Sequence, residues 1–318
     1  DQLKDVRQVP AAGSAFAASL GDGSVVTWSE ADKGGDSSAV QNQLKNVRQI
    51  QAAQFAFVAV LGNGAIVTWG MDAFGGKSSA VQEQLTNVQQ IQDTQLAFAA
   101  IRPDGSTVTW GSFQHGGDSS AVQDQLKDVQ QIQATGFAFA AILGDGSVGQ
   151  LQNAQQIQAT QFAFAAVLGD GSVVSWGMDA LGGDSMAVQD QLKNVQQLRS
   201  TQTAFAAILD GGSVVTWGIA DLGGDSSAVQ DQLKDVQQIQ ATGFAFAAVL
   251  GDGSVVTWGQ ADNGGDSSAV QGQLQNVQQI QATQFAFAAV LGDGSVVTWG
   301  EAGKGGDCSA VQNHLMVV

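Results

Sequence analysis

Cysteine is almost absent from this sequence of 318 residues, in which Cys308 is the single one. One cysteine cannot form an intramolecular disulfide, and no Asn-x-Ser/Thr acceptor for N-glycosylation occurs in the chain. Small secreted domains commonly depend on disulfides. We therefore expect an intracellular or organellar protein rather than a secreted one.

Basic residues and long apolar runs are also scarce. Lys and Arg number 12 against 29 Asp and Glu, which gives a formal net charge of −17. Such a charge repels a phosphate backbone, so we expect no nucleic-acid partner. The longest apolar runs, such as 137–143, cover about seven residues, far fewer than the roughly 20 that span a bilayer. We expect no transmembrane segment, and peripheral membrane association only through a partner.

Residues that carry chemistry are few. His115 and His314 are the two histidines, too few with one cysteine for a Cys/His metal site. No nucleophile motif accompanies either histidine, and the Gly-Asp-Gly turns precede β-branched runs rather than a phosphate-binding helix. Residues 239–259 and 280–300 differ at one position in 21, whereas an active site needs residues that differ between repeats. We expect no enzyme activity, catalytic residue, cofactor or metal.

A period of 41 residues organises the whole chain. The seven tryptophans are separated by 41, 41, 66, 41, 41 and 41 residues, at Trp28, Trp69, Trp110, Trp176, Trp217, Trp258 and Trp299. The long gap contains an eighth hairpin turn, Gly-Asp-Gly-Ser at 144–147. The spacing predicts one repeat domain over 1–318, with seven complete repeats and one truncated repeat at about 129–153.

The repeat that begins at Val236 illustrates the expected strands. Residues 236–241 form a Gln-rich strand, 244–250 alternate between a face with Phe246 and a face with Ala245 and Ala247, and 251–253 form a hairpin turn. A more polar fourth strand is predicted at 269–274. Four strands with one large and one small apolar face are typical of a β-propeller blade. A β-solenoid, whose coils are usually shorter, is the alternative.

The repeat resembles that of the regulator of chromosome condensation 1 (RCC1) family, whose propellers also occur in HERC-type ubiquitin ligases. The resemblance rests on the run D-G-S-V-V-T-W-G at 252–259, the apolar strand before it and the Gly-rich loop after it, and it extends over essentially the whole chain. The Gly-His that usually precedes the family's second strand is replaced by 242–245 here. The resemblance implies an all-β RCC1-like propeller, which we expect to close as a ring, with a role in protein–protein interaction.

The expected function is therefore a non-catalytic scaffold or structural subunit that binds protein partners. A chain that begins and ends inside a repeat leads us to expect a peripheral accessory subunit of a larger organellar or membrane-associated assembly. The alternative is a regulatory propeller in small-GTPase exchange or ubiquitin-ligase signalling. No functional residue of RCC1 can be matched to this sequence, and no ligase domain with a catalytic cysteine is present in it.

Aspartates recur in the Gly-rich loops, eight residues after a tryptophan, at Asp36, Asp118, Asp184, Asp225, Asp266 and Asp307. Their carboxylates and the adjacent serines are oxygen ligands of the kind that calcium prefers. The favoured interpretation is that Asp and Ser stabilise a turn through local hydrogen bonds. The tryptophans, at one fixed offset, are likewise expected to pack between sheets rather than to form a ligand ring.

The repeats differ most in the four residues after Trp-Gly, which read EADK, MDAF, SFQH, MDAL, IADL, QADN and EAGK. Apolar loop tips occur in the four repeats that flank the truncated one, and exposed apolar tips are typical of an interface. The expected partner-binding residues are Met71, Phe74, Phe113, His115, Met178, Leu181, Ile219 and Leu222. The truncated repeat would leave a notch between Phe113 and His115 on one side and Met178 and Leu181 on the other. The alternative is that each tip folds back onto its own repeat.

Overall fold

A computed structural model describes residues 5–149 and 151–308 of the chain, so that His314 lies outside the described residues. The chain forms two compact units, residues 1–152 (unit 1) and residues 153–318 (unit 2). A single domain over the whole length stays a prediction, as do a closed ring and its number of blades.

Unit 1 contains, within its described residues, four antiparallel sheets, each made of consecutive strands. The strands are β1 (Val6–Gln8), β2 (Ala15–Leu20) and β3 (Val25–Ser29) in sheet 1, β4 (Val47–Ala52), β5 (Ala56–Leu61) and β6 (Ile66–Gly70) in sheet 2, β7 (Gln90–Asp93), β8 (Ala97–Ile101) and β9 (Thr107–Gly111) in sheet 3, and β10 (Val129–Ala134) and β11 (Phe139–Leu143) in sheet 4.

Unit 2 repeats this arrangement, with four three-stranded sheets in the part of it that the structure describes. The strands are β12 (Ala154–Ala159), β13 (Ala163–Leu168) and β14 (Val173–Gly177) in sheet 5, β15 (Val195–Ser200), β16 (Ala204–Leu209) and β17 (Val214–Gly218) in sheet 6, β18 (Val236–Ala241), β19 (Ala245–Leu250) and β20 (Val255–Gly259) in sheet 7, and β21 (Val277–Ala282), β22 (Ala286–Leu291) and β23 (Val296–Gly300) in sheet 8.

The helical segments of the described residues are single 3₁₀ turns in the loops, so the expected all-β fold is confirmed. They are Ala31–Lys33, Asp72–Phe74, Gln82–Gln84, Phe113–His115, Ser120–Val122, Asp179–Leu181, Ala220–Leu222, Ser227–Val229, Ala261–Asn263, Gln271–Gln273 and Ala302–Lys304.

Sheet 7 shows how the repeat folds. Strand β19 pairs with β18 and β20, and the hairpin between β19 and β20 places Phe246 opposite Trp258. In the hairpin turn the Asp252 carboxylate accepts bonds from the Ser254 N–H and hydroxyl at 2.9 and 2.6 Å. The predicted first three strands and hairpin are confirmed. A solenoid would instead join strands of successive repeats into continuous sheets.

The predicted fourth strand at 269–274 is wrong, because this segment forms turns and the 3₁₀ turn Gln271–Gln273. Side chains compete here for the hydrogen bonds that a strand would make. The Ser267 hydroxyl contacts the Thr257 hydroxyl at 3.0 Å and donates to Gln271 Oε1 at 2.8 Å, and Gln271 Nε2 donates to the Val255 carbonyl at 2.9 Å. The segment is thereby tied back against β20.

The core consists of sheet-to-sheet interfaces in which large side chains meet small ones. Each sheet has an aromatic face, with the Phe of its second strand and, except in sheet 4, the Trp of its third, and a small face, with the alternate Ala residues. In unit 2, Ala204 and Ala206 on the small face of sheet 6 pack with Phe246 and Trp258 of sheet 7. The expected large-against-small packing is confirmed, and it orders the sheets of each unit in sequence.

A tryptophan hydrogen bond joins consecutive repeats. The Trp258 indole N–H donates to the Gly223 carbonyl of the preceding Gly-Gly loop at 3.1 Å, and the same bond links Trp69 to Gly34 at 3.0 Å. Trp110, Trp217 and Trp299 repeat it. Within the described residues Trp28 and Trp176 lack this bond. Each bonded indole therefore fastens one repeat to the next, which explains the constant offset of the tryptophans.

We expect Trp258→Phe to lower the free energy of unfolding by about 1–3 kcal/mol, because it leaves the buried Gly223 carbonyl without its donor. Trp28→Phe is the matched control, since it removes no such bond and should cost less. Chemical denaturation followed by far-ultraviolet circular dichroism measures both variants. Equal losses would show that the indole bond contributes nothing to the coupling of repeats.

Candidate functional site

Hydrogen bonds hold the backbone of two loops that carry predicted partner-binding residues. In unit 1 the Thr94 hydroxyl donates to the His115 carbonyl at 3.0 Å, and in unit 2 the Thr160 hydroxyl donates to the Leu181 carbonyl at 3.0 Å. Each loop also ends in a glycine with positive φ, such as Gly116 at 89°. In these two loops the backbone is held in place, while the side chains at the tips vary between repeats.

In unit 1 the predicted residues differ in exposure. Phe113 is 74% exposed. Met71 and Phe74 are half-buried, and the Phe74 ring lies 5.6 Å from the ring of Phe55. His115 is also half-buried, with its ring 4.9 Å from that of Phe137. Phe113 can thus contact a partner as it stands, whereas Phe74 and His115 would first have to give up their contacts with other aromatic rings.

In unit 2, Met178 is 51% exposed, whereas Leu181, Ile219 and Leu222 are half-buried. The alternative, in which each tip folds back onto its own repeat, stays a hypothesis for these side chains. Partner binding by the eight residues stays a prediction, and so does the notch.

Met186 was missed by the sequence analysis, although it is the most exposed large apolar side chain of the described residues, at 82%. Serine stands at this position in all six other complete repeats, at Ser38, Ser79, Ser120, Ser227, Ser268 and Ser309. The replacement of this repeated serine by methionine was the one feature of the sequence that could have identified Met186. Met178 and Met186 give unit 2 two exposed thioether side chains on the loop of one repeat.

Asp93 is a second residue that the sequence analysis missed. It ends β7 where neighbouring repeats have Ala52 and Ala134, and it lines a pocket of about 330 Å³ in unit 1 with Thr94 and Gln95. Burial raises the pKa of the Asp93 carboxyl to about 6. No other ionisable side chain lines this pocket among the described residues. Asp93 is therefore a half-buried carboxyl with no compensating charge in the described lining of this pocket.

We expect Asp93→Ala to stabilise the protein by about 1–3 kcal/mol near pH 7.5, because it removes a carboxylate whose charge burial disfavours. The folded-state pKa lies above the unfolded one, so the wild type binds more protons when folded and loses stability as pH rises from about 4 to 6. Near pH 4 the two proteins should differ little. Denaturation at both pH values tests this, and a pH-independent difference would contradict it.

The Gly-Gly-Asp loops form turns with the expected local bonds. The Asp36 carboxylate accepts from the Ser38 N–H at 2.8 Å, and Asp266 accepts from the Ser268 N–H at 2.8 Å. These backbone N–H groups hold the pKa of both aspartates below its usual value. Within the described residues no group of three or more His, Cys, Asp or Glu side chains is placed to hold a metal ion. The bonds of Asp36 and Asp266 are those expected from the favoured interpretation, in which Asp and Ser stabilise the turn.

No helix of the described residues has the length and hydropathy needed to cross a membrane.

No protein-family model and no curated protein matches the sequence. The chain is similar to solved repeat β-propellers. The CRINKLY WD40 ectodomain of the Arabidopsis thaliana receptor kinase ACR4 is 15% identical, with 93% of this chain and 97% of that chain covered and a TM-score of 0.43. Human WBSCR16 is 14% identical, with 92% and 83% covered and a TM-score of 0.42. Prp20p from Saccharomyces cerevisiae is 16% identical, with 81% and 72% covered and a TM-score of 0.40.

These structural neighbours are RCC1-like and CRINKLY repeat propellers, the class that the sequence resembles. At such identities the similarity concerns the fold and assigns no role to any residue of this chain.

Proposed function

We propose that this chain is a non-catalytic protein-interaction scaffold of RCC1-like repeats, a structural subunit of a larger intracellular or organellar assembly. The observation that carries the proposal is the contrast between the repeated framework and its exceptions. Framework residues such as Phe246 are buried and recur in the repeats. Phe113, Met178 and Met186 are exposed and apolar, and Phe113 and Met186 stand where other repeats have Ala, Asp or Ser.

Each unit offers its own contact point, Phe113 in unit 1 and the pair Met178 and Met186 in unit 2. A partner that covers these side chains removes apolar area from water, which contributes about 25 cal/mol for each Å². Unbranched methionine side chains adapt to irregular surfaces, and a rigid loop backbone limits the entropy lost on binding. Both properties favour a protein surface as the ligand.

The charge of the chain indicates which surface fits. A net charge of −17 attracts a partner with a basic face and speeds their encounter, and added salt screens this attraction. We therefore expect a partner whose contact surface combines apolar side chains with Lys and Arg, and an association rate that falls with ionic strength.

Replacing Phe113, Met178 and Met186 together with serine should weaken binding of a partner co-purified from the native source at least about tenfold, because such anchors commonly carry 1 kcal/mol or more each. The melting temperature should change little, since all three side chains are exposed. Surface plasmon resonance with the purified partner measures the affinity. Phe113→Ser alone and the double methionine variant show which unit makes the contact.

Gln260→Ser is the matched control, because Gln260 is an exposed polar residue at the loop position of Met178. It should leave the affinity unchanged. A triple variant that binds as tightly as the wild type would refute these residues as the binding site.

A further inference from the structure

The first sheet of unit 1 has an aromatic face that no other sheet of that unit covers. Phe16 is 40% exposed there, whereas its equivalents Phe57 and Phe98 are fully buried. Val6 and Val9 are exposed, although their equivalents Val47 and Ile50 lie in the core between sheets 1 and 2. The Phe16 and Trp28 rings stack at 5.3 Å and form a flat apolar surface.

The last sheet of unit 2 has the complementary surface. Its small face carries Ala288, Val290 and Val296, which are half-buried, whereas Ala247 and Val255 at the same positions of sheet 7 are buried. No sheet of unit 2 follows it in the described residues, so this face has no aromatic face against it within the unit.

The Gly-Gly loop beside this face has no phenylalanine ring packed on it within the described residues. A Cβ built on Gly264 of the preceding repeat would lie 2.5 Å from the Phe287 ring of the next sheet, which shows how closely an internal loop sits on its phenylalanine. Among the described residues, the same atom on Gly305 would meet only Ala286 Cβ and Thr283 Cγ2, both at 3.8 Å. The Gly305 carbonyl accepts no indole bond, unlike that of Gly264.

We propose that the small face of sheet 8 in one copy of this chain docks on the aromatic face of sheet 1 in a second copy. The internal interfaces show what fits each face, because each pairs the small face of one sheet with the aromatic face of the next. A second copy offers an aromatic face to the small face of sheet 8, and a small face to the aromatic face of sheet 1, with the residue types found at the internal interfaces. In the docked pair the Trp28 N–H gains the Gly305 carbonyl, as Trp69 has that of Gly34.

This contact joins two different surfaces. However many copies are added, an open assembly keeps a free aromatic face at one end and a free small face at the other. Such a heterologous interface builds open chains or rings of copies. Two copies with a net charge of −17 also repel each other, and salt screens that repulsion. Self-association should therefore rise with protein concentration and with ionic strength, the opposite of the salt effect expected for a basic partner.

Sedimentation velocity of the full chain with one face blocked at a time tests the proposal. Phe16→Glu blocks the aromatic face of sheet 1, and Ala288→Glu blocks the small face of sheet 8. Each variant alone should sediment as a single chain at concentrations where the wild type associates. Their equimolar mixture should form a complex of two chains and nothing larger, because it contains one productive pair of faces.

Two equivalent exposed alanines outside both faces provide matched controls, Ala121→Glu in unit 1 and Ala269→Glu in unit 2, and both should associate like the wild type. Circular dichroism verifies folding, and Val9→Glu replaces Phe16→Glu if that variant does not fold. A wild type that stays a single chain at every concentration, a blocked variant that still associates, or a mixture without a two-chain complex would overturn the proposal. A ring closed within one chain would give the first of these results, a wild type that stays a single chain.

Discussion

Phe246→Ala should lower the free energy of unfolding by about 3–5 kcal/mol, the largest loss that we expect from a single truncation. The ring is fully buried between sheets 6 and 7, in one core cluster with Ala206 and Trp258. It stacks on the Trp258 ring at 5.2 Å. Its removal leaves a cavity that neighbouring strands cannot close, because hydrogen bonds on both sides hold their positions.

Phe16→Ala is the matched control for this prediction. Phe16 has the same place in its repeat and stacks on Trp28 at 5.3 Å, but 40% of it is exposed and no preceding sheet of unit 1 covers it. We expect a loss of about 1 kcal/mol, measured by denaturant unfolding at a protein concentration too low for self-association. Similar losses for the two variants would contradict the account of the core as a series of sheet-to-sheet interfaces.

Gly223→Ala should cost about 2–4 kcal/mol through two separate effects. Gly223 has φ +105°, which L side chains rarely adopt, and the added Cβ would lie 2.7 Å from Cδ2 of the Phe246 ring. The backbone strain contributes about 1 kcal/mol and the overpacking about 1–3 kcal/mol. The Gly-Gly loop is the point where one repeat rests on the aromatic pair of the next, so this methyl group pushes two repeats apart.

Gly305→Ala separates the two effects. Gly305 has a similar φ of +112°, but its added Cβ would come no closer than 3.8 Å to any atom of the described residues. We expect this variant to lose about 1 kcal/mol, the backbone contribution alone. Thermal and denaturant unfolding of both variants gives the difference. An equal loss of unfolding free energy at Gly223 and Gly305 would show that the Gly-Gly loop does not pack tightly against the aromatic pair of the next repeat.

The strands could be predicted because each one carries its own signal. Asp252 and Gly253 specify the hairpin, and the alternation of Phe246 with Ala245 and Ala247 specifies two faces of different size. The fixed tryptophan offset indicated packing between repeats, although not the Gly carbonyl that each indole meets. That acceptor lies in another repeat, 35 residues earlier in the chain, and no local pattern marks it.

The sequence-based predictions are wrong or incomplete where a side chain has more than one possible hydrogen-bonding or packing partner. The segment 269–274 has apolar residues at strand spacing, but the Ser267 and Gln271 side chains bind β20 and draw it into turns. The sequence of a variable apolar loop likewise does not predict whether its side chains are exposed. Phe74 packs against Phe55, whereas Phe113 is exposed. Asp93 and Met186 could have been identified as departures from the repeat. Such single departures indicate unusual positions as well as the variability of the loops does.

The most direct test of the proposed scaffold function is site-specific photo-crosslinking of the full chain in its native assembly. A photoreactive amino acid replaces Phe113, Met178 or Met186, and Gln260 serves as the matched exposed position. We expect one partner protein to be captured from Phe113, Met178 or Met186, with crosslinked peptides rich in Lys and Arg, and no capture from Gln260. Equal capture from all four positions, or capture from Gln260 alone, would contradict partner binding through these exposed apolar side chains.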